Sequence, residues 1–116
     1  MTRTSEEIYE NHKDSLLKGD FPRFFADYAD DAILLTMDGT YVGKDAIQSW
    51  YQGIIESQPN LRVVFEKVVI EGDTVFLQWS GESDMATFPH GVATFIIREG
   101  MIQRQTEWFI LIPKET

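Results

Sequence analysis

The chain has 116 residues, of which 43% are hydrophobic and 13% aromatic, enough to bury the core of one domain without cross-links. It contains no cysteine, which excludes disulfides, thiol catalysis and thiolate metal sites and is typical of a cytoplasmic location. The net charge of −9, without a basic stripe, disfavours nucleic acid and anionic membranes as partners. Neither a signal peptide nor a membrane-spanning stretch is predicted.

The first half of the chain predicts three helices. Thr4 and Glu7 have the spacing of a capping box, His12 lies in the apolar stripe that follows, and Gly19 is suited to the helix end. Asp20 is predicted to cap a short, phenylalanine-rich helix. The third helix is predicted from an apolar stripe with helical spacing: Ile47, Trp50, Tyr51, Ile54 and Ile55.

Strands dominate the rest of the sequence. A short apolar strand over residues 32–37 is predicted between the second and third helices, and four long strands follow the third helix, over residues 61–70, 74–83, 88–98 and 101–112. Helices that precede a run of strands indicate the α+β class. No internal repeat or linker divides the sequence, which predicts a single domain over residues 1–116.

The last two strands are joined by a Glu-Gly turn, and the preceding hairpin has a similar one. Because glutamate disfavours a positive φ, a three-residue loop that ends in a left-handed Gly100 fits better than a two-residue turn. This loop places Ala93 opposite Gln105, whereas a two-residue turn places Thr94 there. The predicted inner face carries Ala93, Phe95, Ile97, Gln105, Glu107, Phe109 and Leu111, and in the preceding hairpin Val63, Phe65, Val75, Leu77 and Trp79.

The predicted outer face of the sheet is also rich in apolar residues. It carries Phe76, Ile96, Trp108 and Ile110 among polar side chains. A face in contact with water alone does not need this much apolar surface. We therefore expect a homodimer that forms through this face.

Three segments carry a resemblance to a known family: Tyr28-Ala29-Asp30-Asp31-Ala32, the helix entry Gly43-Lys44-Asp45-Ala46-Ile47, and the hairpin Arg98-Glu99-Gly100-Met101-Ile102. With the order of elements, they resemble the nuclear transport factor two-like superfamily and, within it, the SnoaL-like, polyketide cyclase-like proteins. The resemblance covers almost the whole chain. It implies a cystatin-like α+β roll, in which a cone-shaped, curved, mixed or antiparallel sheet wraps around three N-terminal helices. It also implies a pocket at the open end, but no particular chemistry.

The ketosteroid isomerase branch of this superfamily provides a direct comparison. When its Ala-Asp-Asp-Ala segment is aligned with residues 29–32, its catalytic base falls on Thr36. Its oxyanion-hole tyrosine falls on His12, and its oxyanion-hole aspartate falls near Ala93. All three roles lack the expected residue, which argues against the isomerase mechanism. The catalytic sets of scytalone dehydratase and limonene epoxide hydrolase do not match residue by residue either.

Glu107 is the leading candidate for a catalytic residue. The predicted register places it on the inner face beside Gln105, among aromatic side chains, and apolar surroundings raise a carboxyl pKa toward that of a neutral-pH acid or base. Gln105 is a candidate to orient a carbonyl or hydroxyl group, and His12 to face the ligand. The structural alternatives are a solvated Glu107 at the cone mouth and a His12 that is part of the core.

The remaining candidates are residues that would line a ligand pocket. Asp84 and His90 are placed near its rim, where solvation of both is the alternative. No metal site and no cofactor are predicted, because the two histidines are far apart and no phosphate-binding motif is present. The predicted aromatic lining, for which plain core packing is the alternative, is Tyr28, Trp50, Trp79, Phe95 and Phe109.

Two functions from different classes follow. The first is an acid/base isomerase, cyclase, dehydratase or hydrolase that acts on a small apolar carbonyl or hydroxyl compound, with Glu107 as acid or base. The second is a non-catalytic homodimer that binds a small molecule or serves as an adaptor. Convergence of His12, Gln105 and Glu107 on a cavity of several hundred Å³ favours an enzyme or a ligand binder, and a filled core disfavours both.

Overall fold

The computed structural model describes residues 2–115, which fold into three helices and seven strands. The helices are α1 (Ser5–Lys18), α2 (Phe21–Phe25) and α3 (Lys44–Ser57). The strands are β1 (Tyr28–Thr36), β2 (Gly39–Val42), β3 (Arg62–Glu71), β4 (Thr74–Glu82), β5 (Ala86–Arg98), β6 (Met101–Phe109) and β7 (Ile112–Pro113).

The strands form one mixed sheet of order β2-β1-β6-β5-β4-β3, with β7 paired to β5. Only the β1–β6 pair is parallel among these strands. Register shifts interrupt the β1–β6, β3–β4, β4–β5 and β5–β6 pairs, and such bulges bend a sheet. The sheet therefore curves around the helices, which confirms the α+β roll. The hairpin partner β2 was not predicted.

The helix ends follow the predicted capping signals. The Thr4 hydroxyl accepts a hydrogen bond from the Glu7 backbone N–H at 3.1 Å, and the Glu7 carboxylate accepts one from the Thr4 N–H at 2.9 Å. Gly19 ends α1 with a φ of 70°, and the Asp20 side chain caps α2. These caps fix the direction in which α1 and α2 enter the cone.

The predicted turn between β5 and β6 is wrong, yet the predicted inner face of these strands is right at every position except Leu111. The loop has two residues, with Glu99 at a φ of 52° and Gly100 at 72°. A register shift next to the turn then leaves Gln103 as an extra residue on β6. The turn and this bulge together move the pairing by two positions, so Gln105 still points inward, opposite Phe95 rather than Ala93.

Two further predictions near this hairpin are corrected. The β3–β4 loop also has two residues rather than three, with Glu71 paired to Thr74 and Gly72 at a φ of 57°. Leu111 does not face the core: β6 ends at Phe109, and Leu111 is 40% exposed. The inner residues of β3 and β4 do face the core as predicted, with Val75 and Leu77 buried.

We predict that Glu99→Asn stabilises the protein by about 0.5–1 kcal/mol, because asparagine tolerates the left-handed conformation better than glutamate does. Glu71→Asn is the matched control. It also precedes a glycine, but its own φ is not positive, so no gain is expected. Urea unfolding of both variants measures the difference, and an equal gain in both would contradict the turn geometry.

Candidate functional site

The interior of the cone contains a cavity of about 100 Å³. This volume is below the about 150 Å³ of an engineered cavity that binds benzene, and well below the usual drug-sized pocket. The cavity adjoins a surface groove of about 380 Å³, with which it shares Leu16, Ile55, Leu61 and Val63. Its deeper lining includes His12, Phe24, Trp50, Tyr51, Phe65, Leu77, Trp79, Phe88, Phe95, Glu107 and Phe109.

Glu107 is the acidic group in this cavity lining. Its carboxyl group is buried on the inner face of β6, and its two oxygens accept hydrogen bonds from Trp79 Nε1 at 2.8 Å and from Gln105 Nε2 at 3.2 Å. Burial raises the pKa of Glu107 to about 8, because the two hydrogen bonds only partly offset the loss of hydration. Most Glu107 side chains therefore hold a proton at pH 7.

Gly91 determines where the indole of Trp79 lies. The two residues are direct cross-strand partners in β4 and β5. A Cβ atom on Gly91 would lie 2.1 Å from Cε2 of Trp79, far closer than any van der Waals contact. Because Gly91 has no side chain, the indole can lie against β5, with its Nε1 directed at Glu107.

Gln105 does not line the cavity; it joins buried hydroxyl groups to Glu107. Its Oε1 accepts a hydrogen bond from the Tyr28 hydroxyl at 2.5 Å, and its Nε2 donates to the Tyr51 hydroxyl at 2.7 Å. Together with the bond to Glu107, these contacts use the amide oxygen and both amide hydrogens. In this orientation of the amide, no hydrogen of Gln105 is left to orient a ligand.

His12 lines the cavity, but both of its nitrogens face the protein. Nδ1 lies 3.2 Å from Asp27 Oδ2, and Nε2 lies 3.2 Å from the Tyr28 hydroxyl. The ring stacks on Phe24 at a centroid distance of 3.8 Å. Burial lowers the pKa of His12, although its contact with Asp27 opposes this shift. The imidazole therefore presents carbon atoms, not a proton donor, to the cavity.

Asp27 is the polar residue that the sequence interpretation missed. It is 1% exposed and accepts hydrogen bonds from Arg3 at 2.7 Å and from Asn11 at 2.9 Å, besides its contact with His12. Burial alone would raise the pKa of Asp27, but the hydrogen bonds from His12, Arg3 and Asn11 outweigh it and lower the pKa. Asp27 is therefore an ionised carboxylate inside the protein.

The other predicted pocket residues fall into two groups. Tyr28 is fully buried behind the cavity. Asp84 and His90 are exposed and do not line the cavity; Asp84 accepts a hydrogen bond from Asn60 at 2.7 Å instead. The predicted residues that do line the cavity are Trp50, Trp79, Phe95 and Phe109.

Residues 2–115 contain no group of three metal-ligating side chains and no helix that is long and apolar enough to cross a membrane.

The curved sheet, the three helices and the interior cavity define a nuclear transport factor two-like α+β roll. Within this class, the family model of the SnoaL-like domain matches residues 9–105, so the chain belongs to the SnoaL-like domain family. This confirms the resemblance seen in the sequence. No match was found among curated proteins.

Solved structures with the same fold have low sequence identity to this chain. A nuclear transport factor 2-like protein of unknown function from Cytophaga hutchinsonii has 16% identity and a TM-score of 0.75, over 95% of this chain and 93% of its own. A candidate polyketide cyclase from Sinorhizobium meliloti has 17% identity and a TM-score of 0.74, over 86% and 92%. A candidate ketosteroid isomerase from Kribbella flavida has 15% identity and a TM-score of 0.80, over 100% and 86%. These likenesses establish the fold alone.

We predict that Glu107→Gln removes a pH dependence of stability. The Glu107 carboxyl ionises near pH 4.5 in the unfolded chain and near pH 8 in the folded protein. Its contribution to the free energy of unfolding is therefore fully present below pH 4.5 and is lost as the pH rises to 8. Above pH 8 the variant should be more stable than the wild type, by on the order of 3–5 kcal/mol. Urea unfolding at pH 5 and pH 9 measures this, and an equal difference at both values would contradict the raised pKa.

Proposed function

We propose that this protein binds a small, largely apolar carbonyl or hydroxyl compound in the cone and that Glu107 transfers a proton to or from it. The observation that carries this proposal is the buried Glu107 carboxyl in an apolar cavity lining, with a pKa of about 8. A group with a pKa near the working pH serves well as a general acid or base. Isomerisation, cyclisation, dehydration and hydrolysis are the reaction classes that such a group supports.

The hydrogen bonds of the site assign different roles to the three candidate catalytic residues. Both His12 nitrogens and all polar hydrogens of Gln105 are engaged within the protein, so neither is placed to polarise a substrate. They are positioning residues for Glu107 in this proposal. The cavity volume of about 100 Å³ limits the enclosed part of a substrate to about one small ring.

A non-catalytic ligand-binding protein is the second candidate function. Its supporting observation is that the histidine and the tyrosine of the cavity lining, His12 and Tyr51, are already hydrogen-bonded within the protein. A cavity with one acidic group can hold an apolar ligand by shape and burial without reaction. Measurements of binding and turnover on one compound separate the two candidates.

We predict that the wild type accelerates exchange of the α-hydrogens of cyclopentanone in D₂O and that Glu107→Gln reduces this rate by about 100-fold or more. Proton NMR follows the loss of the α-hydrogen signal. Glu10→Gln is the matched control, because Glu10 is an exposed carboxylate on α1. Its exchange rate should equal that of the wild type.

Three outcomes of this experiment are informative. Equal exchange rates for wild type and Glu107→Gln would remove Glu107 from the mechanism. If cyclopentanone shifts the Trp79 indole resonance of the wild type without exchange above the buffer rate, the binding candidate gains support. If the wild type neither binds cyclopentanone nor accelerates its exchange, ketones of this size are not its ligands.

We also propose that two copies of this chain associate through the outer sheet face. Cross-strand pairing places five outer residues in one row across the sheet, in the order Val69, Phe76, Thr94, Thr106 and Leu35. Three of them, Val69, Phe76 and Leu35, are apolar. These side chains are 49%, 38% and 44% exposed. Trp108 and Ile110, at 47% and 37%, extend the apolar surface along β6 and beyond its end. A second copy that covers this face would remove the apolar surface from water.

We predict a dimer at micromolar concentration, with twice the 13.4 kDa mass of one chain, by light scattering. Trp108→Lys together with Phe76→Lys should give a monomer, because association would bury unpaired charges. Leu17→Lys is the control, since Leu17 is a 56% exposed apolar residue on α1, and it should remain dimeric. A monomeric wild type would refute the outer-face interface.

A further inference from the structure

A continuous chain of hydrogen bonds runs from the α1–α2 end of the molecule to the cavity. Its members are Asp27, His12, Tyr28, Gln105 and Glu107, and its successive heavy-atom distances are 3.2, 3.2, 2.5 and 3.2 Å. All five side chains are buried. Buried polar groups are satisfied by hydrogen bonds, and these five side chains bond to one another, so a proton that changes place in one member affects the next.

Asp27 fixes the direction of hydrogen bonding at one end of this chain. It is an ionised acceptor that already receives hydrogen bonds from Arg3 and Asn11, so the proton in its contact with His12 resides on Nδ1. A neutral His12 then has a bare Nε2, which needs the hydrogen of the Tyr28 hydroxyl. That single hydrogen is also the one for which Gln105 Oε1, at 2.5 Å, and the Tyr51 hydroxyl, at 3.3 Å, compete.

Two hydrogen-bond arrangements with equal numbers of protons run through these five side chains. In one, His12 is a cation that donates at both nitrogens, Tyr28 donates to Gln105 Oε1, and Gln105 Nε2 donates to an ionised Glu107. In the other, His12 is neutral and Tyr28 donates to it. The Gln105 amide is then turned over relative to the orientation described above, so that its nitrogen donates one hydrogen to the Tyr28 oxygen and its oxygen faces Tyr51 and Glu107. The Gln105 oxygen then accepts a hydrogen bond from a protonated Glu107. The net difference is one proton, held by His12 in the first and by Glu107 in the second.

The surroundings decide between these two arrangements. A buried His12 cation is costly, as its lowered pKa indicates. The titratable or charged groups that face His12 are Asp27, Tyr28 and, at longer range, Arg3, and those that face Glu107 are Tyr28 and Tyr51. Neither tyrosine supplies a positive charge to stabilise an ionised Glu107, so the arrangement with neutral His12 is favoured.

We propose that Asp27 is a positioning residue that acts through His12, Tyr28 and Gln105 to hold Glu107 in its protonated form. When His12 is neutral and Glu107 loses its proton, one hydrogen bond in the series from Asp27 to Glu107 cannot form. Either the Gln105 oxygen faces the ionised carboxylate, or the bare Nε2 of His12 faces the Tyr28 oxygen. Asp27 thus acts on the cavity through side chains whose polar atoms are turned toward the protein. This inference concerns the same acid/base group as the proposed function, but its test needs no substrate.

The test uses the indole N–H of Trp79, which donates to Glu107 Oε2, as a reporter of Glu107 ionisation in a pH titration by ¹⁵N–¹H NMR. Asp27→Asn should lower the titration midpoint by about one pH unit, a tenfold change in the ionisation constant. An asparagine amide can donate to His12 Nδ1, which moves the His12 hydrogen to Nε2 and reverses the chain. Tyr28→Phe keeps the Asp27 charge but cuts the chain, and should lower the midpoint similarly.

The double variant separates the hydrogen-bond chain from simple charge repulsion. If the chain carries the effect, Asp27→Asn has little further effect once Tyr28→Phe is present. A wild-type midpoint in Tyr28→Phe, or additive shifts in the double variant, would overturn the proposal. Asp30→Asn, at an exposed position three residues from Asp27, should leave the midpoint unchanged. Tyr28→Phe removes a single oxygen, so it decides the question even if Asp27→Asn fails to fold.

Discussion

The polar pair on the inner face of β6 is the constraint around which the rest of the structure is arranged. Gln105 and Glu107 project into a cone that is otherwise lined by apolar and aromatic side chains, where an unsatisfied polar group costs several kcal/mol. Their partners come from elements far apart in sequence: Tyr28 on β1, Tyr51 on α3 and Trp79 on β4. No described buried side-chain polar atom lacks a partner, which shows how completely the fold meets this constraint.

The same constraint explains features that look unrelated in the sequence. Gly91 is a glycine inside a long strand, which normally weakens a sheet, but a side chain there would collide with the indole that binds Glu107. The bulge at Gln103 restores the inward direction of Gln105 after a turn that would otherwise reverse it. Both features depart from a regular strand where the polar pair needs it.

Periodicity and capping signals predict the helices, the four long strands and the inner face, because each of these depends on local sequence. The sequence predicts the wrong turn at Glu99 because glutamate ordinarily disfavours a positive φ, a preference that this hairpin overrides. The bulge that compensates for this turn cannot be predicted from residue types. The sequence therefore predicts the inward direction of Gln105 correctly but pairs it with Ala93 instead of Phe95. Asp27 was missed for a different reason. Its partners Arg3, Asn11 and His12 are brought to it only by the packing of α1 against α2.

The arrangement changes what a histidine and a glutamine contribute to a site of this kind. Sequence position alone assigns His12 and Gln105 to the ligand, but their hydrogen bonds point away from it. A buried carboxyl can hold a proton at neutral pH through burial alone, but burial does not determine which hydrogen bonds it makes. In our proposal, the hydrogen-bond chain that begins at Asp27 supplies that direction. In the proposed function, a single acidic group oriented by this network leaves substrate choice to the shape of the apolar cavity and the residues at its mouth.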